Sequence, residues 1–517
     1  MRVLFPLFLL IIALFAQGCS DSSRSVSTST LRIGNGAEPS TLDPHLATSL
    51  AEGHILSALF EGLVTPHPKD DLAIAPGVAE KWLSENNYTR YTFELRRNAK
   101  WSDGSPIAAR DFVDAYERLL NPRLRAGNAE MLYDLKNAER YNNGQTTDFS
   151  EVGVQATSSH TLVLSLERPV LYFLQKLKHW SWQPVHRPSI EAKGGFHDPA
   201  NNWASSASIV SNGPYVAKDW RRNERIELAK NQYYWDAPSV SIEKIQFFPY
   251  ENVQTEFRAF QAGQLDITEE VPSEQMDLQP AGLRQDPSLA TTYLLLNNRS
   301  EQLADRELRQ SLSASIDRKL LIKAIEKSGA PATRFTPGTM PGYQAADFPQ
   351  EVDDAFERPK EPLRFLVSNR ESSIALAEAI QAIWGRKLGI EVRIQNMEFK
   401  SLLARLDGGD YDISLLAWHG DYLDPQTFLE IWQSDSRFNR ANWSQPKFDQ
   451  LIDDSLKSAS QEERFSILAE AEALIGQEMP IIPLFWKTKD YLISQRVEGW
   501  SASLIDLRSY KHVRLKP

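Results

Sequence analysis

Cysteine is almost absent from this sequence. The chain has 517 residues and a single cysteine, Cys19, so it cannot form an internal disulfide and has no group of thiolates to hold zinc. Long apolar runs are scarce as well. After residue 16, no stretch reaches the roughly 20 apolar residues that a membrane-spanning helix needs. The bulk of the chain is therefore predicted to lie outside a membrane.

Positive charge and catalytic motifs are also scarce. The 57 Lys and Arg residues are outnumbered by 68 Asp and Glu residues, for a formal net charge of -11. This balance argues against nucleic acid as a partner, because nucleic acid needs a concentrated basic face. We find no nucleophile elbow, Walker loop, dinucleotide-type glycine fingerprint or metal-spaced histidine pair. We predict that the protein is not an enzyme and binds no cofactor and no metal.

The position of Cys19 predicts lipid modification. A charged start, Met1 and Arg2, precedes an apolar run over residues 3–16 that is short for a membrane span. Residues 16–19 (AQGC) resemble a lipobox, the sequence that bacterial lipoprotein signal peptidase cuts before a lipid-modified cysteine. We predict a signal peptide over residues 1–18, a polar tether over residues 19–30, and a lipid-anchored protein of the periplasm or cell envelope.

The rest of the chain has the composition of a soluble globular protein. Hydrophobic residues make up 42% and charged residues 24% of it, and its length predicts two or three lobes. Strand-like and helix-like patterns alternate. Residues 363–367 and 391–395 have strand patterns on either side of a predicted helix over residues 375–388, and residues 108–120 form an amphipathic helical pattern. These patterns predict an α/β fold.

Residues 418–428 (WHGDYLDPQTF) form the most informative stretch. They follow a predicted strand over residues 411–417, and open α/β sheets bind ligands at the ends of such strands. Asp421 beside Trp418 suits a ligand ammonium, through a charge-assisted hydrogen bond and a cation–π contact. An equally good interpretation is that Asp421 caps the following helix. For Asp424, directly before a proline, we favour a role in starting that helix.

Several segments match, in chain order, a pattern known from one family. They are residues 75–82 (APGVAEKW), 91–96 (YTFELR), 99–106 (AKWSDGSP), 111–113 (DFV), 211–215 (SNGPY), 218–220 (KDW) and 223–226 (NERI), then Trp418, Gly420, Asp421, Pro425 and Phe428. Together they resemble the family 5 extracellular solute-binding proteins, the oligopeptide- and dipeptide-binding proteins of ABC importers. The resemblance covers nearly the whole chain from about residue 31.

The resemblance implies an α/β, periplasmic-binding-protein-like (class II) fold with three lobes and a hinged ligand cleft. The implied division is lobe I (residues 31–60, 203–289 and 489–517), lobe II (residues 61–202) and lobe III (residues 290–488). A ligand would be enclosed between lobes I and III. The implied partners of this monomeric protein are a short peptide and the permease subunits of an ABC transporter.

The same resemblance implies a set of site residues. Asp421 would pair with the α-ammonium of a peptide, while Trp418 and Phe399 would line a side-chain pocket. Backbone groups of residues 48–49 and 293–297 would form hydrogen bonds with the ligand. The predicted ligand-binding residues are Asp421, Trp418, His419, Phe399, Tyr293, Leu295, Asn297, Thr48, Ser49, Arg405 and Trp486.

The chain departs from the family pattern where the ligand carboxylate should bind. Basic residues that meet peptide carboxylates in oligopeptide binders correspond here to Leu406 and Leu415. An acidic residue often found in the first strand of lobe III corresponds to Leu295. Arg405 is adjacent and would substitute, although a shift of one residue turns a helical side chain by about 100°.

Our leading hypothesis is an extracytoplasmic lipoprotein that captures short peptides and delivers them to an ABC transporter permease. The alternative is a binding protein for a metal chelate, haem or an oligosaccharide. In the metal-chelate or haem case His419, the one histidine beside Asp421, would contact the ligand, although ordinary loop packing explains that histidine as well. A third hypothesis, an extracellular hydrolase, has no catalytic motif to support it. Asp421 favours an amine-bearing ligand and therefore a peptide.

Overall fold

The computed structural model describes residues 29–205, 208–326, 328–350, 355–458 and 460–516. The predicted signal peptide, Cys19 and most of the predicted tether lie outside these residues. Within the described ranges, no helix combines the length and the apolar character needed to cross a membrane. Three larger sheets and two short hairpin-like pairs organise this part of the chain.

The first sheet contains the start of the described chain. Its four strands lie in the order Thr30–Gly34, Lys244–Phe248, Arg225–Lys230 and Tyr215–Arg221. The first two are parallel, with Leu31 opposite Ile245, and the other neighbours are antiparallel. Alternating apolar residues such as Leu31 and Ile245 are fully buried on one face. The hairpin predicted after residues 211–215 is confirmed.

The second sheet is antiparallel throughout. Its strands lie in the order Ala79–Glu85, Arg90–Leu95, Thr161–Ser165 and Val154–Ser158. The helix Ala109–Leu120 packs against it, and Phe112, Tyr116 and Leu119 on its apolar side are fully buried, as its 3.6-residue pattern predicts. The two-stranded pairs are Val64–His67 with Asp70–Pro76, and Val497–Glu498 with Arg514–Leu515.

The third sheet is mixed and lies in the second half of the chain. Its strands lie in the order Ala330–Pro331, Ile481–Leu492, Leu283–Leu296, Ile413–His419, Leu363–Ser368 and Val392–Met397. The strand Leu363–Ser368 runs parallel to both of its neighbours. The helix Glu371–Leu388 connects the parallel strands and ends at Gly389, whose φ of 65° is a left-handed conformation that suits glycine. The predicted β-α-β unit is confirmed.

The remaining α-helices of the described residues are mostly short. They are Leu50–Leu59, Ala138–Asn142, Phe173–Lys176, Arg187–Glu191, Val253–Gln261, Ser273–Met276, Arg306–Ala314, Arg318–Leu321, Phe399–Asp407, Gln426–Leu429, Pro446–Ser455 and Gln461–Glu478. A strand predicted over residues 265–267 is wrong. Only Ile267 forms isolated bridges there, because the Asp266 carboxylate accepts the backbone N–H of Arg32, at 2.8 Å, in place of a strand carbonyl.

Two hydrophobic cores lie in the described chain. The first is formed mainly by residues 31–267 and the second by residues 289–485. The strand Ile481–Leu492 contributes residues to both cores, and the strand Leu283–Leu296 pairs with it, with a register shift after Pro287. The sequence predicts only the later part of the first of these strands, because the earlier part (LRQDPSL) is polar and contains a proline.

Candidate ligand-binding site

The Asp421 loop is fixed in place by three hydrogen bonds. The strand Ile413–His419 ends directly before it, and the Gly420 N–H donates to the Leu289 carbonyl at 2.8 Å. Thr427 binds both sides of the loop: its hydroxyl accepts the Asp421 N–H at 3.1 Å, and its carbonyl accepts the indole N–H of Trp418 at 2.8 Å. Among the described residues, none donates a hydrogen bond to the Asp421 carboxylate. The loop backbone is thus tied down on both sides, while its carboxylate has no hydrogen-bond donor in the described part of the chain.

The Asp421 carboxylate lies in a recess. Its side chain is exposed to water, yet the surrounding protein raises its pKa to about 7, first by burial and then through the carboxylates of Glu430 and Glu130, while Lys176 acts in the opposite direction. Exposure combined with desolvation describes a group open to solvent on one side and enclosed by protein on the others. An unpartnered carboxylate in such a place is stabilised by a ligand cation.

Part of the recess comes from a distant segment that the sequence analysis missed. Tyr172 stacks on Tyr422, with ring centroids 5.1 Å apart and planes within 6°. The Lys176 ammonium lies 5.3 Å from the centre of the Tyr422 ring and forms an ion pair with Asp134. No local pattern around these residues distinguishes them from ordinary core and surface positions, because only tertiary packing brings them to Asp421.

Asp424 has the structural role that we predicted and one more. It accepts the backbone N–H of Gln426 at 2.9 Å, where the helix Gln426–Leu429 begins, and Pro425 precedes that helix at the N-cap. Its two carboxylate oxygens also accept from the guanidinium of Arg464, at 2.7 and 2.6 Å. Both partners are buried. Asp424 therefore holds the loop, whereas the Asp421 carboxylate accepts no hydrogen bond from the described residues.

The predicted aromatic residues are spread over the end of the sheet. Trp418 is half-buried and forms an edge-to-face contact with Phe438 at 5.5 Å. Trp418 and Trp486 lie on the two strands that flank the strand of Thr291, and each is directly opposite Thr291. Their side chains therefore lie on the same face of the sheet. Phe399 is 53% exposed at the start of its helix. Its role as a pocket residue stays a prediction.

The backbone groups of residues 293–297, predicted to contact a ligand, are paired within the sheet, and that contact stays a prediction. This segment is part of a central strand, and Tyr293 to Leu295 pair on both sides, with residues 414–416 and with residues 481–483. The Asn297 N–H donates to the Asp412 carbonyl, and its side chain donates to two further carbonyls. Tyr293 and Leu295 themselves are buried in the second core. A strand paired on both sides has no free row of groups for a ligand.

Two further sets of predicted groups already have partners within the protein. The backbone N–H groups of Thr48 and Ser49 donate to the Glu52 carboxylate, at 2.8 and 3.0 Å, as part of the cap of helix Leu50–Leu59. The Arg405 guanidinium forms an ion pair with Asp410, with Nη2 and Oδ2 2.7 Å apart. These donors have protein partners in the described structure, and their contacts with a ligand stay a prediction.

A free backbone edge exists elsewhere, directly beside Asp421. The strand Ile413–His419 pairs along its length with Leu283–Leu296 on one side. On its other side only Ile413 and Ser414 pair, with the strand Leu363–Ser368. In the part of the chain that the structure describes, no strand pairs with that side of residues 415–419. Their outward backbone groups form an open edge that ends at the Asp421 loop.

His419 is exposed next to two lysines rather than in a metal-type cluster. The protein on its enclosed side desolvates the ring, and together with Lys487 and Lys489 this lowers the pKa of His419 to about 4. Among the described residues, one group has ligand atoms close enough together to hold a metal ion, and it consists of His54, Glu269 and Asp506. His419 is not part of this group. Basic side chains already neutralise the two carboxylates of this group: Lys489 lies 3.2 Å from Asp506, and Arg508 lies 2.7 Å from Glu269. The metal-chelate hypothesis gains no support from this arrangement.

The sequence of this chain matches a known protein family. Residues 73–440 match the model of the bacterial extracellular solute-binding proteins, family 5. This chain belongs to that family. It is 32% identical over 508 residues to the periplasmic oligopeptide-binding protein OppA of Salmonella typhimurium, covering 91% of this chain and 90% of OppA. It is 30% identical to the periplasmic murein peptide-binding protein MppA of Escherichia coli, covering 90% and 88%.

Solved structures agree with this assignment. The E. coli murein tripeptide-binding protein MppA superimposes with a TM-score of 0.82 at 27% identity, covering 95% of this chain and 99% of that one. Haemophilus influenzae OppA in complex with the peptide RPPGFSPFR gives 0.79 at 27% identity, covering 95% and 99%. The predicted periplasmic-binding-protein-like α/β fold is confirmed. The family consists of solute-binding proteins rather than enzymes, and its relatives here are periplasmic or extracellular binding proteins.

Proposed function

We propose that this protein captures short peptides by their free amino end and delivers them to the permease of an ABC transporter. The observation that carries the proposal is the Asp421 carboxylate, to which none of the described residues donates a hydrogen bond and which lies near the carboxylates of Glu430 and Glu130. A ligand ammonium would supply both the missing hydrogen-bond donors and the missing positive charge. OppA and MppA, named for oligopeptides and murein peptides, are consistent with a ligand of this kind.

The open strand edge supports an extended ligand. A peptide whose amino group lies at Asp421 would add as a strand along residues 415–419, through its own backbone N–H and C=O groups. Trp418, half-buried on this strand, would contact a ligand side chain. Backbone recognition binds peptides of many sequences, because the groups it uses are common to all of them.

The rest of the predicted arrangement belongs to the same proposal. The lobes would follow the predicted boundaries, and the paired strands Leu283–Leu296 and Ile481–Leu492 would act as the hinge between lobes I and III. Lipid on Cys19 would hold the monomeric protein at the membrane through the polar tether. Delivery would then require only that the closed protein reach its permease.

Calorimetry with a tripeptide tests the proposal. Asp421→Asn should weaken binding of Ala-Ala-Ala by at least about 2 kcal/mol, because the ammonium loses its charged partner, and N-acetylation of the peptide should weaken binding to the native protein similarly. Asp435→Asn, at an exposed acidic residue, is the control and should bind normally. If both changes at the amino end leave the affinity intact, the assignment of Asp421 is wrong.

Further measurements separate the alternatives. A metal-chelate or haem receptor would carry a chromophore or metal when purified and would lose binding on His419→Ala rather than on Asp421→Asn. A hydrolase would turn over a peptide or glycan library. Native mass spectrometry of the purified protein would identify the ligand that accompanies it.

A further inference from the structure

The backbone of Leu289 joins the Asp421 loop to a turn near the end of the chain. The Leu289 carbonyl accepts the Gly420 N–H at 2.8 Å, and the Leu289 N–H donates to the Leu504 carbonyl at 2.6 Å. Leu289 lies in the register shift that follows Pro287, where backbone groups leave the regular ladder of the sheet. The position of the Asp421 loop therefore depends on what holds Leu504.

The contact between Leu289 and Gly420 is also sterically close. Leu289 is buried in the second core, and a Cβ atom on Gly420 would lie only 2.7 Å from its Cδ2, closer than real Cβ atoms come to other atoms. Because no space separates the two residues, a displacement of Leu289 displaces Gly420 as well.

Leu504 is held in turn by a carboxylate from a distant part of the chain. Its N–H donates to Asp71 Oδ2 at 2.6 Å, and its side chain packs against the second core. Asp71 is itself fixed, because it lies on the strand Asp70–Pro76 and its carbonyl accepts the ammonium of the buried Lys178 at 2.7 Å. In the predicted division, Asp71, Leu504 and Gly420 belong to lobes II, I and III, so this path of hydrogen bonds crosses all three.

The turn that carries Leu504 has a second anchor. The Asp506 N–H closes the turn on the Ser503 carbonyl at 3.1 Å, and Asp506 has a φ of 51°. This left-handed conformation is uncommon for a residue other than glycine and persists where contacts hold it. Here the carboxylate lies 3.0 Å from His54 Nε2 and 3.2 Å from the Lys489 ammonium. Loss of the other anchor should therefore shift the turn rather than unfold it.

We propose that Asp71 is a positioning residue that, through Leu504 and Leu289, holds the Asp421 loop in the orientation that receives a ligand ammonium. The inference rests on the proposed function and extends it to a residue of another lobe. A carboxylate suits this role, because its hydrogen bond with a backbone N–H is charge-assisted and stronger than a neutral one. Coupling of this kind is reciprocal, so a ligand bound at Asp421 would also stabilise the turn that carries Leu504.

Hydrogen exchange of the ligand-free protein tests the path directly. Asp71→Ala removes the acceptor of the Leu504 N–H. Amide exchange should then become at least about threefold faster around Leu504, Leu289 and Gly420, because the contacts that these residues share open more often. Mass spectrometry of the exchanged protein would measure the rates segment by segment.

Two further variants frame this measurement. Asp71→Asn keeps an acceptor without its charge, so its exchange rates should lie between those of the native protein and Asp71→Ala. This milder change also serves if Asp71→Ala fails to fold, which thermal unfolding would reveal. Asp70→Ala is the matched control. Asp70 is the exposed neighbour of Asp71, and its carboxylate accepts a backbone N–H two residues along the same strand at 2.9 Å, so exchange around Gly420 should stay at the native rate.

A double-mutant cycle with Asp421→Asn tests the link to binding. In the native background, Asp71→Ala should weaken the binding of Ala-Ala-Ala by about threefold to tenfold, a size typical of remote changes that act through packed networks. In the Asp421→Asn background the same change should weaken binding by less than about twofold, because the ammonium contact that it would misplace is already lost. A merely structural role would not depend on the background. Calorimetry would measure all four affinities.

The outcomes are separable from those of the main proposal. Native exchange rates around Gly420 in Asp71→Ala, or equal losses of affinity in the two backgrounds, would overturn the role of Asp71 while leaving that of Asp421 intact. No peptide binding by the native protein would overturn the proposed function, and this inference with it.

Discussion

Tyr172 and Tyr422 are both buried, and their rings lie parallel at 5.1 Å, with planes only 6° apart. The stack joins the segment before helix Phe173–Lys176 to the loop that carries Asp421. Cations lie near both rings: the Arg464 guanidinium is 4.6 Å from the Tyr172 ring, and the Lys176 ammonium is 5.3 Å from the Tyr422 ring. The position of the Asp421 loop therefore depends on residues far away in sequence.

A double-mutant cycle measures this dependence. Tyr172→Leu and Tyr422→Leu should each destabilise the protein, and the two changes together should cost less than their sum, with a coupling of about 0.5–1.5 kcal/mol, because each single change already removes the stacked pair. Urea unfolding of the four proteins provides the free energies. Strict additivity would show that the rings contribute only through their separate burial.

The ion pair of Asp424 with Arg464 predicts a larger loss of stability. Asp424→Asn should lower the free energy of unfolding by about 3–5 kcal/mol, because it leaves the Arg464 charge buried without a carboxylate. The exposed pair of Arg405 with Asp410 provides a matched control, and Arg405→Met should change stability by about 1 kcal/mol or less. A small effect of Asp424→Asn would mean that water or Gln426 compensates the guanidinium.

The sequence predicts elements of this fold better than their arrangement. The helix Ala109–Leu120 follows from apolar spacing, and the end of helix Glu371–Leu388 follows from Gly389, since both signals are local. Strand position in a sheet is not local. Residues 293–297 and 415–419 have similar apolar patterns, yet the first segment is central and the second has an open edge. Only the order of strands, set by tertiary packing, decides which backbone can meet a ligand.

The recess illustrates the same limit on sequence reasoning. Asp421 stands out in the sequence because it lies on a loop at a strand end beside Trp418. Tyr172 and Lys176 have no such signal, because their roles depend on which pairs form in three dimensions. The charge of Lys176 becomes informative only once its ion pair with Asp134 and its position over the Tyr422 ring are known.

Buried histidines predict that stability falls in mild acid. His45 and His179 are buried. Burial, with Arg118 and Lys176 respectively, lowers the pKa of each to about 3. Between pH 6.5, the ordinary histidine value, and pH 3, the unfolded chain therefore binds more protons than the folded one. Each histidine should reduce the free energy of unfolding by up to about 1.4 kcal/mol per pH unit as the pH falls through this window.

His45→Gln tests the contribution of one of these groups. Arg118 can only donate, so the His45 Nδ1, 2.9 Å from its Nη1, is an acceptor and the ring is neutral. Glutamine should cost some stability at pH 7, but it should make the loss between pH 6.5 and pH 5 shallower by about 1.4 kcal/mol per unit. Urea unfolding at several pH values would measure both. An unchanged slope would assign the acid sensitivity to other groups.

Peptide affinity should pass through a maximum slightly above neutral pH. Asp421 has a pKa of about 7 in the ligand-free protein, and it must be ionised to bind an ammonium, so protons compete with the ligand below that value. A peptide amino group loses its own proton near pH 8, so affinity should decline again above it. On the acid side the dissociation constant for Ala-Ala-Ala should rise by up to about tenfold per pH unit. Asp421→Asn removes the competing proton and should give weak binding that hardly varies between pH 5.5 and 7. Calorimetry over this range would measure the dissociation constant of the native protein at each pH. A dissociation constant that does not change with pH would mean that the group binding the peptide ammonium does not titrate in this range.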